Sequence, residues 1–257
     1  MTAVLQVNNR EMEIDAILFD KDGTLLQFLP LWGTWAGIMT SLMAESIQAL
    51  GKGADIAPES LLGVELDEQK RVVAYDLGGP LSIASIPEIE GALAWQLYTR
   101  GVPWNQALQR VREIRAAADE EVERERPTMP LPGLLPFLSR CMEAGLSLAV
   151  VTADQTAEAV KHLQWLGVAD CFKAVMGRDR VINGKPSPEI VYKACELLGV
   201  LPARTVLIGD TAGDMQTGRL AGVGLTIGIG GEALAGADVM IRSYDKLRIG
   251  HSVLHDA

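Results

Sequence analysis

Residues 14–19, Ile-Asp-Ala-Ile-Leu-Phe, run directly into Asp20-Lys21-Asp22-Gly23-Thr24-Leu25. The apolar run predicts a buried strand, with Asp20 and Asp22 two positions apart at its carboxyl end and on the same side of an extended chain. Carboxylates near a sheet interior need a partner, and such oxygen ligands suit Mg²⁺. They equally suit a nucleophile working beside a general acid. An isolated Asp-x-Asp-Gly is explained as well by an ordinary turn, so the remaining sequence has to decide.

The composition is that of a soluble globular protein of one large domain, or of a domain with a substantial insertion. The chain has 257 residues, of which 48% are hydrophobic and 22% charged. The net charge of −10 argues against a nucleic-acid partner and against binding to anionic membranes. Any phosphate site must therefore be built from local cations.

The sequence also predicts a cytoplasmic location. The first thirteen residues lack the apolar core of a secretory signal, and no apolar run reaches the roughly 20 residues that span a bilayer. Three widely spaced cysteines indicate reduced thiols rather than disulfides or a zinc site. They are Cys141, Cys171 and Cys195.

From about residue 131 onward, short apolar runs alternate with helical patterns. The predicted strands are Leu146–Val151, Phe172–Met176, Thr205–Ile208, Gly224–Ile229 and Val239–Ile241. Helices are predicted for Thr156–Leu166, from Ser187-Pro188 to the residue before Gly199, and for Met215–Ala221. This alternation predicts an α/β fold with a doubly wound parallel sheet, whose ligands bind beyond the carboxyl ends of the strands.

Residues 28–128 follow a different pattern, in which every predicted element is helical. The predicted helices are Thr34–Leu50, Ser60–Tyr75, Pro87–Arg100 and Pro103–Arg126. The sequence thus predicts a core of residues 1–27 and 129–257, interrupted by an inserted α-helical bundle of residues 28–128.

Further polar residues follow the predicted strands. Thr152 comes directly after Leu146–Val151, Asp210 and Asp214 follow Thr205–Ile208, and Lys185 stands in a turn ahead of a helix. At one edge of a doubly wound sheet these groups would converge with Asp20 and Asp22. A hydroxyl, a lysine and several carboxylates are the equipment for phosphoryl transfer.

These motifs, in this order, resemble the haloacid dehalogenase superfamily of phosphohydrolases, in the branch with a helical cap after the first motif. The chain is most similar to phosphoglycolate-phosphatase-like members, and the resemblance covers nearly its whole length. It implies a Rossmann-like core and a helical cap. The matching residues are Asp20-Lys21-Asp22-Gly23-Thr24, Thr152, Lys185, and Gly209-Asp210 through Asp214.

The resemblance implies a role for each carboxylate. Asp20 is the expected nucleophile, which becomes an aspartyl phosphate. Asp22 is expected to protonate the leaving alcohol and then activate water, while its backbone carbonyl binds Mg²⁺. Asp20 and Asp210 are expected side-chain ligands of Mg²⁺, and Asp214 a ligand either directly or through water.

Thr152 and Lys185 are the expected phosphate-binding residues of a phosphatase acting on a small phosphorylated metabolite. The alternatives are a phosphosugar mutase similar to β-phosphoglucomutase, or a pyrophosphatase. A non-catalytic binding protein is disfavoured, because no residue of the four motifs is missing. Either a monomer or a homodimer is compatible with the sequence.

Several residues near the motifs are open to a structural or a functional interpretation. Trp32 and Trp35 are candidate substrate contacts, although packing of the first cap helix is the favoured interpretation. Lys21 is expected to point away from the aspartates, toward the cap or solvent. His162, His251 and His255 are expected on the surface or on helices.

Overall fold

The computed structural model describes residues 2–51 and 59–251. The chain divides into two compact units. Met1–Gln27 together with Thr128–Ala257 form one, called the core unit, and Phe28–Pro127 form the other, called the inserted unit.

Strands and helices are numbered along the described part of the chain. The strands are β1 (Ala3–Val7), β2 (Arg10–Ile14), β3 (Ala16–Phe19), β4 (Val64–Leu66), β5 (Val72–Tyr75), β6 (Ser147–Val151), β7 (Ala174–Met176), β8 (Thr205–Gly209), β9 (Leu225–Ile229), β10 (Val239–Ile241) and β11 (Leu247–His251). The α-helices are α1 (Thr34–Ala49), α2 (Glu59–Leu62), α3 (Pro80–Ile83), α4 (Ile86–Tyr98), α5 (Trp104–Glu125), α6 (Leu134–Glu143), α7 (Thr156–Leu166), α8 (Glu189–Leu198) and α9 (Ala212–Ala221).

A six-stranded parallel sheet, in the order β10-β9-β8-β3-β6-β7, forms the centre of the core unit. After β3 the chain builds β6 and β7 on one side, and then β8, β9 and β10 on the other. The strand order therefore reverses at β3, which makes its carboxyl end the topological switch point. The predicted doubly wound sheet is confirmed, and the ends of its strands lie within two residues of the predicted ones.

Helices cover both faces of this sheet. Ile17 and Phe19 belong to a hydrophobic cluster that includes residues of α6 and α7, whereas Leu18 belongs to a second cluster with residues of α8. Successive residues of β3 thus point to opposite faces of the sheet, and the side chains on both faces are buried. Burial on both faces explains why the strands are continuous apolar runs rather than alternating ones.

The first core strand begins two residues later than the sequence pattern predicts. Asp15 separates β2 from β3 and forms two hydrogen bonds with the Arg204 guanidinium, at 2.6 and 2.8 Å. A carboxylate held at the sheet margin by an arginine marks the point where the buried strand starts.

A three-stranded antiparallel sheet, in the order β11-β1-β2, is a feature that the sequence analysis missed. Ala3, Leu5 and Val7 are buried and alternate with partly exposed residues along β1, which is the pattern of a half-buried strand. A turn with Asn8 at φ 51° joins β1 to β2, and asparagine tolerates this left-handed conformation.

The inserted unit is mainly helical, as predicted, and α1, α4 and α5 are its long helices. The predicted helix over Ser60–Tyr75, however, is wrong. Only α2 forms at its start, and an antiparallel β4–β5 hairpin follows. The Asp67 carboxylate accepts hydrogen bonds from the backbone N–H groups of Gln69 and Arg71 in the hairpin turn. These bonds stabilise a local Asx turn in place of the predicted helix.

Among the described residues, no helix combines the length and the apolar character needed to cross a membrane.

Candidate active site

Three of the predicted site residues of the core unit lie at the carboxyl ends of three adjacent strands. Asp20 directly follows β3, Thr152 follows β6 and Asp210 follows β8. Because β3 is hydrogen-bonded between β6 and β8, these residues meet at the switch point of the sheet.

Asp20, Asp210 and Asp214 form a compact carboxylate group, in which one oxygen of each residue lies within 4.8 Å of the others. The start of α9 fixes Asp214 in this group. The Thr211 hydroxyl oxygen accepts a hydrogen bond from the Asp214 N–H at 3.1 Å, and Asp214 Oδ2 accepts one from the Thr211 N–H at 3.1 Å. This reciprocal capping box ties the carboxylate to the first turn of the helix.

Two glycines allow these carboxylates to lie against the backbone. Gly23 has φ +73°, in the left-handed region, and a Cβ there would collide with the Asp210 carboxylate. A Cβ on Gly209 would collide with the side chain of Asp214. Glycine at both positions is therefore a condition for assembling the group.

Lys185 lies between two of the three carboxylates. Its Nζ donates to Asp20 Oδ1 at 2.7 Å and to Asp214 Oδ1 at 2.5 Å. Burial raises the pKa of Asp20, against the attraction of Lys185 and with added repulsion from Asp214. Burial, then repulsion from Asp20, likewise raises the pKa of Asp210. Burial would lower the pKa of Lys185, but attraction to its carboxylate partners outweighs it and the pKa is raised.

The charge and chemistry of this group fit a divalent cation. The group combines three carboxylates with one ammonium, so two negative charges remain uncompensated when all three carboxylates are ionised. The donors are all carboxylate oxygens, which Mg²⁺ prefers. A cation of charge two would offset the repulsion that adds to burial in raising the pKa values of Asp20 and Asp210.

Thr152 lies at the neighbouring strand end and is 2% exposed. Its N–H donates to the carbonyl of Met176 at 2.9 Å, which continues the β6–β7 ladder. Its hydroxyl oxygen accepts from the N–H of Asp154 at 3.2 Å. Because the oxygen is the acceptor in that bond, the hydroxyl proton can be donated to a ligand.

Asp22 stands apart from the carboxylate group, because its Oδ1 lies 2.7 Å from Nζ of Lys21. The prediction that Lys21 points away from the aspartates, toward the cap or solvent, is wrong, since its side chain is 0% exposed and its ammonium contacts Asp22. Alternation explains its direction: Lys21 continues the side of β3 occupied by Ile17 and Phe19, where α6 and α7 pack. That face is covered at this depth, so the long side chain stays buried and its ammonium reaches Asp22.

His162 of α7 and Asp154 of the loop after β6 also lie close to Lys21. The Lys21 Nζ lies 3.1 Å from His162 Nδ1 and 3.4 Å from Asp154 Oδ2. His162 is thus on a helix but buried, not on the surface. Burial, assisted by the charge of Lys21, lowers the pKa of His162 to about 3, so the ring is neutral. Burial raises the pKa of Asp154, and Lys21 opposes that rise. The His251 side chain and His255 lie outside the described residues.

Tyr244 is hydrogen-bonded to the loop after β3, and the sequence analysis missed this residue. It is fully buried, and its hydroxyl donates to the backbone carbonyl of Thr24 at 3.1 Å. The Thr24 hydroxyl in turn donates to Asp210 Oδ1 at 3.3 Å. No motif marks Tyr244 in the sequence, because only the folded chain brings it to this loop.

Trp32 and Trp35 belong to the inserted unit. Trp35 is 3% exposed, and its indole N–H donates to Asp119 Oδ1 at 2.9 Å. Trp32 is half-buried and meets Trp35 edge to face, with 5.9 Å between ring centroids. These contacts support the packing interpretation of Trp35, and the substrate role of both residues stays a prediction.

Comparison with known sequences identifies a family and well-covered relatives. A sequence model of the haloacid dehalogenase-like hydrolases matches residues 14–222. The phosphoglycolate phosphatase of Salmonella typhi is 30% identical over 257 residues, with 93% of each chain covered. That of Escherichia coli (strain K12) is 29% identical, also with 93% of each chain covered.

Solved structures share the fold. A putative β-phosphoglucomutase from Thermotoga maritima matches with a TM-score of 0.61 and 20% identity, covering 91% of this chain and 96% of that one. A predicted phosphoglycolate phosphatase from Haemophilus somnus 129pt matches with a TM-score of 0.60 and 16% identity, covering 84% and 85% respectively. At these identities the likeness concerns the fold alone.

Proposed function

The chain belongs to the haloacid dehalogenase-like hydrolase family, and on this basis we propose that it is a Mg²⁺-dependent phosphatase acting on a small phosphomonoester. The observation that carries the proposal is the environment of Asp20. Its buried carboxylate ends the central strand, bonds Lys185 at 2.7 Å and lies beside two further carboxylates. This is a nucleophile next to a cation and a fitting metal site.

In the first step, an oxygen of Asp20 attacks the phosphorus and the ester P–O bond breaks. Asp22 in its acid form gives its proton to the departing oxygen, so the product leaves as an alcohol. Lys185 and the hydroxyl of Thr152 bind phosphate oxygens and compensate the charge that develops on them. The product of this step is a phosphoryl group bonded to Asp20.

In the second step, the ionised Asp22 takes a proton from water. The water oxygen attacks the phosphorus, the bond from phosphorus to Asp20 breaks, and inorganic phosphate leaves. Asp20 is regenerated as a carboxylate and Asp22 as an acid, so the cycle closes with one water consumed.

We propose that the side chains of Asp20 and Asp210, the backbone carbonyl of Asp22, and Asp214 directly or through water hold Mg²⁺. When bound, the ion supplies positive charge that offsets the carboxylates and the phosphate. Support for this assignment comes from the all-oxygen donor set and from the two uncompensated charges of the carboxylate group.

Phosphoglycolate is the proposed substrate. The support is the name of the relatives that are 30% and 29% identical over 93% of the chain. The assignment of a catalytic core to residues 1–27 and 129–257 and of a cap to residues 28–128 stays a prediction. So do the cytoplasmic location and the monomeric or homodimeric state.

The proposal is tested by measuring phosphate release from phosphoglycolate, p-nitrophenyl phosphate and a sugar phosphate, with Mg²⁺ or with a chelator. Release is expected only with Mg²⁺. Asp20→Asn keeps the size of the side chain but removes the nucleophile, so kcat should fall by more than about a thousandfold. Asp170→Asn, on an exposed aspartate of the core unit, is the matched control and should be as active as the parent.

Activity that survives Asp20→Asn contradicts the proposed nucleophile. Interconversion of sugar phosphate isomers with little free phosphate would instead identify a mutase. Equal release with Mg²⁺ and with a chelator contradicts the metal assignment alone.

A further inference from the structure

Beside the candidate active site lies a cluster of Lys21, Asp22, Asp154 and His162, in which Lys21 and His162 are buried and the two aspartates are partly buried. The Nζ of Lys21 is at its centre, 2.7 Å from Asp22 Oδ1, 3.1 Å from His162 Nδ1 and 3.4 Å from Asp154 Oδ2. The members come from three segments: the turn after β3, the loop after β6, and α7. Such a cluster depends on the tertiary fold and not on one local turn.

Burying this ammonium is costly, and an apolar residue at position 21 would avoid the cost. A buried charge is tolerated only when it is paired and hydrogen-bonded. Asp154 Oδ2 is itself buried without a hydrogen-bond partner among the described residues, so its compensation is the ion pair with Lys21. The cost of burying these two charges needs an explanation, and the contacts of Lys21 provide one.

What Lys21 holds is one oxygen of Asp22. We propose that Lys21 is a positioning residue, which fixes the direction of the Asp22 carboxylate through Oδ1 and so presents Oδ2 for proton exchange. This inference rests on the proposed function, in which Asp22 passes a proton to the leaving group and then takes one from water. Lys21 acts only through Asp22 and exchanges no proton itself.

His162 and Asp154 have a part in this arrangement because a lysine side chain is flexible. An ammonium on a four-carbon stem orients another group only when it is itself held in place. The neutral His162 ring accepts at Nδ1 without adding charge, and Asp154 adds attraction from a second direction. Two acceptors within hydrogen-bond distance, Asp22 Oδ1 and His162 Nδ1, and the ion pair with Asp154 therefore restrict the ammonium from three directions.

The dependence of rate on the leaving group separates positioning of Asp22 from mere stabilisation. An alkyl alcohol needs a proton as it departs, whereas p-nitrophenolate departs readily without one. The constant kcat/KM covers the steps up to the departure of the leaving group, so it isolates the acid role of Asp22. A misdirected Asp22 therefore slows alkyl phosphates and spares aryl phosphates, whereas general loosening of the site slows both.

The first variant is Lys21→Met, which keeps the length of the side chain and removes the ammonium. We expect kcat/KM for phosphoglycolate to fall by about 10- to 100-fold, part of the full contribution of a general acid, and that for p-nitrophenyl phosphate by less than about threefold. Lys173→Met is the control. Lys173 Nζ donates to Ser147 Oγ at 2.9 Å, at the amino end of β6 and away from the strand ends that carry the site, so neither constant should change.

A second pair of variants keeps the test valid if Lys21→Met does not fold. His162→Leu removes the acceptor that faces Lys21, whereas His162→Asn keeps a polar atom close to the position of Nδ1. We expect His162→Leu to show the same selective loss for the alkyl ester, and His162→Asn to recover most of it.

Equal losses for both esters, or no difference between His162→Leu and His162→Asn, would overturn the positioning role. That outcome leaves the proposed function intact if the parent protein hydrolyses both esters and Asp20→Asn does not. If the parent hydrolyses neither ester, the proposed function fails, and the positioning role fails with it.

Discussion

Tyr244→Phe removes one buried hydrogen bond beneath the candidate active site and leaves the packing in place. The Tyr244 hydroxyl donates to the Thr24 carbonyl at 3.1 Å. The Tyr244 ring stacks on Phe137, with 5.2 Å between centroids, and phenylalanine can make the same contact. Since Thr24 also bonds Asp210, the lost hydroxyl is connected to the carboxylate group through one residue.

The expected loss in the free energy of unfolding follows from the burial of the Thr24 carbonyl, which no water can reach when the Tyr244 hydroxyl is removed. Leaving a buried carbonyl without its donor costs about 1–3 kcal/mol. For a protein of this size each kcal/mol corresponds to about 2–4 °C, so Tm should fall by roughly 2–12 °C. Tyr192→Phe is the matched control: its hydroxyl donates to the Leu220 carbonyl at 3.2 Å, but the residue is 48% exposed. Water can replace that bond, so a change below about 0.5 kcal/mol is expected.

Thermal unfolding followed by circular dichroism measures both variants, and the Mg²⁺ concentration needed for half-maximal phosphatase activity measures the effect on the site. Tyr244→Phe should lower Tm and raise that Mg²⁺ concentration, since Thr24 holds Asp210 less firmly. Equal Tm changes in the two variants would refute the reasoning, because burial would then not distinguish the two hydrogen bonds.

Two further predictions concern the carboxylate group. Gly23→Ala should lower Mg²⁺-dependent activity and Tm more than Gly167→Ala does. Both glycines have a left-handed φ (+73° and +76°), but only a Cβ at Gly23 meets Asp210. Equal losses in the two variants would mean that only the strained backbone matters, and would contradict the role of the contact with Asp210. Burial raises the pKa values of Asp20 and Asp210 above 3.8, so the folded state binds more protons than the unfolded state, and this contribution lowers stability as the pH rises above about 4. The difference in Tm between Mg²⁺ and chelator should therefore grow between about pH 5 and 8, and a constant difference contradicts this.

The positions of the site residues at the strand ends could be predicted because they depend on local patterns. Buried parallel strands are continuous apolar runs, and the polar residues directly after them reach one edge of the sheet. Asp20, Thr152 and Asp210 follow this rule. The position of Asp214 could be predicted for a second reason, since its spacing from Thr211 fits a capping box at a helix start.

The environment of Lys21 could not be predicted because it depends on tertiary packing, namely on how far α7 extends over the sheet. Alternation along β3 indicates the face of the sheet on which Lys21 lies, but not whether α7 covers that face as far as residue 21. The partners Asp154 and His162 are more than a hundred residues away in sequence, and none of them carries a motif. The β4–β5 hairpin was missed for a different reason: the apolar residues of that segment suit a helix, and the local bonds of Asp67 decide against it.

Each of the two proposed catalytic aspartates has a buried lysine, and exposure assigns the two lysines different tasks. The Lys185 side chain is 10% exposed and bonds Asp20 and Asp214, whereas the Lys21 side chain is 0% exposed and bonds Asp22. A phosphate that enters beside Asp20 can therefore draw Lys185 away from Asp214, and this exchange of partners compensates the incoming charge. Lys21 has no comparable access to a ligand, so we expect its bond to Asp22 to persist through both steps of the proposed cycle. We therefore assign substrate binding to Lys185, which can exchange partners, and orientation of Asp22 to Lys21, which keeps its partner.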